Sequence, residues 1–78
     1  MTKQEILTQL LAHPLSVALI NVQCVQYEST DMNKYGLIAV DAAFDFYGVV
    51  ENEPTAASEE TVLTKAKELL QLSVKDSL

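Results

Sequence analysis

Between Gly36 and Val50 every even position is apolar or small: Ile38, Val40, Ala42, Phe44, Phe46, Gly48 and Val50. The odd positions carry Asp41, Asp45 and Tyr47 among small or apolar residues. Period-two alternation places one set of side chains on a core and leaves the other partly wet, so the stretch reads as a strand. Phe, Tyr, Val and Ile favour strands, and Gly48 argues against an uninterrupted helix. A usual strand has ~5–6 residues, so a bend or bulge at Ala42-Ala43 or at Gly48 is expected, dividing the stretch in two. A helical alternative gathers Leu37, Val40, Phe44 and Tyr47 into one stripe, with Asp41 and Asp45 a turn apart on another face.

Upstream, Thr2 and Glu5 have the spacing of a capping box. Ile6, Leu7, Leu10 and Leu11 follow at helical spacing, and His13-Pro14 stops the run, which predicts a helix over 2–12. Residues 15–28 read as a second strand. Leu15, Val17 and Leu19 alternate; Ile20, Val22 and Cys24 take the other phase; Val25 and Tyr27 return to the first. A bulge near Leu19-Ile20 would reconcile the phases. A helix starting at Pro14 is the alternative, but the β-branched Val17, Ile20, Val22 and Val25 favour the strand.

Ser29 to Gly36 supplies turn chemistry between the two strands, predicting a hairpin with a long loop that holds Met32 and Tyr35. Pro54 closes the sheet. Thr55 or Ser58 then caps a last helix, with Glu59 and Glu60 in its first turn. Val62, Leu63, Ala66, Leu69 and Leu70 form its apolar face, Lys65 and Lys67 point outward, and residues 73–78 fray. The expected fold is a single α+β domain over 1–78, in the order helix–strand–strand–(strand)–helix. An antiparallel sheet carries both helices on one face. Val40, Ile38, Phe44 and Phe46 are expected in the core, against Leu7, Leu10, Leu11, Leu63, Ala66 and Leu70. This order resembles that of double-stranded-RNA-binding-like folds.

Charge narrows the function that such a fold could have. Eleven acids against five lysines and no arginine give a net charge of −6. A nucleic-acid interface must neutralise phosphates with a basic footprint, so direct binding to nucleic acid is not expected, nor is an anionic membrane surface. With 49% hydrophobic residues the chain is globular in composition. A single cysteine, Cys24, and no signal-like N-terminus point to the cytoplasm.

Few residues can carry chemistry. His13 is the one imidazole, at a helix end where a dipole contact accounts for it. Cys24 reads as a buried structural thiol. One Cys and one His are too few for zinc, and two glycines exclude a glycine-rich phosphate loop. Asp41 and Asp45 would stand about 13–14 Å apart along a strand, beyond the roughly 5–9.5 Å of a glycosidase pair. On a helix they would close to ~5–6 Å between β carbons, and a carboxylate site would reopen.

No catalytic residue, cofactor or metal is therefore expected. The expected activity is protein binding without catalysis, as an adaptor, regulator or inhibitor of a basic protein partner. Asp41, Asp45, Tyr47 and Glu51 are the candidate contact residues, as acids flanking an aromatic on one strand face. A structural subunit acting as a homo-oligomer and a small enzyme using Asp41 and Asp45 are the alternatives. An open sheet edge and a rather apolar odd face also predict a homodimer pairing sheets by edge or by face.

Overall fold

The computed structural model describes residues 2–50, 53 and 55–77, with side chains as far as Leu72. Among the described residues all regular structure is helical: α1 (Lys3–Ala12), α2 (Pro14–Gln26), α3 (Met32–Tyr47) and α4 (Ala56–Ser77). The expected α+β sheet is therefore absent, and the resemblance to double-stranded-RNA-binding-like folds goes with it. Both stretches read as strands are helices, and Met32 and Tyr35 lie within α3 rather than in a hairpin loop.

Every helix start, and the ends of α1, α2 and α3, can be traced to particular residues. Thr2 caps α1, its hydroxyl accepting from the Glu5 N–H at 3.3 Å. His13 closes α1 and opens α2, with Nδ1 accepting from the Leu15 N–H at 3.3 Å. Pro14 follows at the first helical position, where its missing N–H costs nothing and its fixed φ suits the helix. The two helices meet there at 94°. Asp31 caps α3 by accepting from the Lys34 N–H at 3.1 Å. Thr55 accepts from the Ser58 N–H at 3.3 Å at the start of α4.

The C-termini of α2 and α3 share one geometry. Gly48 adopts a left-handed φ of 63°, and Val49 N–H returns to the Phe44 carbonyl at 3.0 Å. This is a Schellman stop, so the glycine that argued against a helix is what ends one. Glu28 holds the same place after α2, with φ 53°, and Ser29 N–H returns to the Cys24 carbonyl at 2.8 Å.

All four helices contact one another around one core. Ile6, Leu7 and Leu10 meet Ile20 and Cys24, Val40 and Phe44, and Val62, Ala66 and Leu70. Leu11 and Leu63 are partly buried against it. The expected burial holds for Val40 and Phe44. It fails for Ile38 (54% exposed) and Phe46 (64% exposed), because helical periodicity carries both around to the solvent side. Their places on the core face are taken by the small residues Gly36, Ala39 and Ala43, which let neighbouring helices approach closely. Lys65 does not point outward: its ammonium lies 4.0 Å from the centre of the Phe46 ring.

Candidate functional site

A groove of about 140 Å³ opens between α3 and α4. Tyr35, Ile38 and Ala42 of α3 recur at three- and four-residue spacing and form one wall. Leu69 and Leu70 of α4 face them across the groove, and Ala39 and Gln23 complete the lining. Tyr35 stacks with Tyr27 of α2, ring centres 6.0 Å apart. One turn beyond Ala42, Phe46 meets Lys65, so an aromatic pair and an aromatic–cation pair flank the groove along α3.

Gln23 is a buried polar group in the lining of this largely apolar site. It is 3% exposed, and its Oε1 has no hydrogen-bond partner among the described residues. A buried acceptor left unpaired costs about 1–3 kcal/mol. A donor brought to that atom would recover the loss.

The described members of the sequence-predicted contact set, Asp41, Asp45 and Tyr47, do not all share one face. Asp41 and Asp45 are one turn apart on α3 and share a face. Tyr47 lies about 200° around the helix from Asp45, toward the opposite side. It packs edge-to-face on Phe46, ring centres 5.1 Å apart. Glu51 lies outside the described residues. The shared face expected for all four rested on a strand, in which residues two apart point the same way. Asp41 is held by Lys3 of α1, with Nζ–Oδ1 2.8 Å, and the same ammonium lies 5.5 Å from the Phe44 ring centre. Asp45 is exposed and shares its stripe with Ile38, seven residues earlier, at the outer edge of the groove wall.

Helical spacing brings the two aspartates within reach of each other, but neither lines the groove. His13 is a helix cap and Cys24 is buried in the core. Among the described residues no three His, Cys, Asp or Glu side chains come together as a metal site would need. No single described helix is long and apolar enough to cross a membrane.

Sequence reasoning missed the groove. Period two puts Ile38 and Ala42 on the core face of a strand, and no sequence pattern singles out Gln23. The detectable signal was the three- and four-residue spacing of Tyr35, Ile38 and Ala42. Compared with protein-family models, characterised proteins and solved structures, the chain matches none.

Proposed function

We propose that this chain is a non-catalytic protein-binding module, and that the groove between α3 and α4 receives a basic amphipathic segment of another protein. The observation that carries the reading is a largely apolar groove whose lining includes Gln23, a buried side chain whose Oε1 is unpaired among the described residues. Binding sites combine apolar lining with a few polar groups that fix orientation, and this groove has that composition. Its volume suits one side chain of a partner rather than a substrate-sized molecule. An amphipathic helix laid along α3 would set an apolar side chain bearing an N–H or O–H into the groove.

Charge supports the sign of the partner. The chain carries −6 overall, and Asp45 stands free at the outer edge of the groove wall. Such a field raises the encounter rate with a cationic segment and lowers it for an anionic one. Asp41, engaged by Lys3, contributes less to this than Asp45 does.

The test uses two model helices with the same apolar face, one Lys-rich and one Glu-rich, titrated into isotopically labelled protein. The Lys-rich helix is expected to shift the amide signals of Tyr35, Ile38, Ala42 and Leu69, with weaker binding as salt rises. The Glu-rich helix is expected to shift none of them. Equal responses to both, or shifts confined to other helices, would overturn the reading.

A further inference from the structure

The outward face of α2 is a separate surface. Leu15, Ala18, Val22 and Val25 recur at spacings of three, four and three, which places them in one stripe along the helix. All four are exposed, Val25 by 80%. The stripe lies opposite the face formed by Ser16, Ile20, Gln23 and Cys24, which is buried. A shallow apolar groove beside Val22 and Val25 continues it. The helix is thus more apolar on its solvent side than a surface helix should be, while two of its four buried residues are polar.

The helix also carries no charge. From Pro14 to Gln26 there is no Asp, Glu, Lys or Arg, although the whole chain carries sixteen such residues, five basic and eleven acidic. A cationic partner would find nothing there to pair with. Two copies of this chain, each at −6, repel wherever their acidic helices face each other. The face of α2 lets them meet with no acid from that helix in the contact. A two-fold contact also needs a patch complementary to itself, and an uncharged stripe of Leu, Ala and Val meets that condition.

We infer that α2 is a self-association face, through which a second copy of this chain packs its own Leu15–Ala18–Val22–Val25 stripe. From Leu15 to Val25 the stripe runs about 15 Å, and one helix diameter is ~10 Å. That footprint is roughly 150 Å² per copy, about a fifth of the ~800 Å² typical of a stable interface, so the dimer is weak and forms only at high concentration. This surface is independent of the groove between α3 and α4.

Sedimentation equilibrium on the full chain tests it. The average mass is expected to climb from 8.6 kDa toward twice that value as concentration rises from tens of micromolar to about millimolar. Added salt is expected to strengthen the association by screening the repulsion between acidic copies. Val25→Glu, at the most exposed position of the stripe, should hold the mass at 8.6 kDa throughout without changing the melting temperature. Leu15→Gln provides a second variant that adds no charge, with the same expected loss. Ala42→Gln, which obstructs the other groove, should associate as the parent does while losing the Lys-rich helix. A parent that stays monomeric, or a Val25→Glu variant that associates like the parent, would overturn the inference. So would association lost in Ala42→Gln instead, or binding to vesicles of zwitterionic lipid without self-association.

Discussion

Leu7 of α1 reaches so far into α3 that a β carbon at Gly36 would lie 2.8 Å from its Cδ1. Ile20 and Leu11 would meet the same point in ordinary van der Waals contact at 3.6 Å. Gly36 is a mid-helix glycine kept by close approach rather than by its backbone angles. Gly36→Ala gains about 1 kcal/mol in helix propensity and loses about 1–3 kcal/mol to overpacking. A net destabilisation of about 1 kcal/mol is expected in chemical denaturation. Combining it with Leu7→Ala should cost less than the sum of the two single changes, because the second removes the atom that the first collides with.

Phe44 and Phe46, adjacent but for one residue, should respond oppositely to truncation. Phe44 is 1% exposed in the centre of the core, so Phe44→Ala is expected to cost ~3–5 kcal/mol. Phe46 keeps mainly its contacts with Lys65 and Tyr47, and Phe46→Ala should cost about 1 kcal/mol or less. Thermal melts of the two variants give the comparison, and similar losses would contradict the helical phase of α3.

The two left-handed helix stops make a matched pair. Glu28 occupies with φ 53° a position that suits glycine, so Glu28→Gly is expected to stabilise by up to about 1 kcal/mol. Gly48→Ala, where nothing crowds the new methyl group, should destabilise by about 1 kcal/mol through backbone strain alone. Urea midpoints that move in these opposite directions would confirm both stops.

Gln23→Met tests the unpaired acceptor. The side chains have similar shape, and removing a buried oxygen without a partner should stabilise the chain by about 1 kcal/mol. The same variant should bind a donor-bearing Lys-rich helix more weakly. A loss of stability instead would show that Oε1 is satisfied in solution.

Charge reversal should separate the two aspartates. Asp45→Lys is expected to change stability by no more than about 0.5 kcal/mol and to slow association with the Lys-rich helix. Asp41→Lys sets two ammonium groups together beside Phe44, and a cost near 1 kcal/mol is expected from the lost pair with Lys3. Stopped-flow rates with denaturation curves check both.

The capping residues were legible in the sequence: Thr2 and Thr55 start helices where their spacing places them. So was the α1 stripe of Ile6, Leu7 and Leu10, because there the buried residues are also the apolar ones. In α2 and α3 that correspondence fails. Ser16 and Gln23 are buried while Leu15, Val22 and Val25 are exposed, and Gly36, Ala39 and Ala43 are buried while Ile38 and Phe46 are exposed. A reading that equates apolar with buried then finds period two where the backbone has period 3.6. The phase change assigned to a bulge near Leu19-Ile20 was the helical rotation itself. The single face expected for Asp41, Asp45 and Tyr47 went with the strand, because Asp45 and Tyr47 share a side only at period two.

The corner at His13 is one residue long, which makes it the hinge of a rotational code. Each residue inserted just after Pro14 would turn the rest of α2 by about 100°, and two would turn it by about 200°. That turn would carry Val22 and Val25 inward and send Gln23 and Cys24 toward solvent. The outer stripe is apolar enough to serve as an inner one, so a two-residue insertion there need not unfold the chain. The same helix would then yield a second molecule, with its adhesive side concealed and its polar side on display.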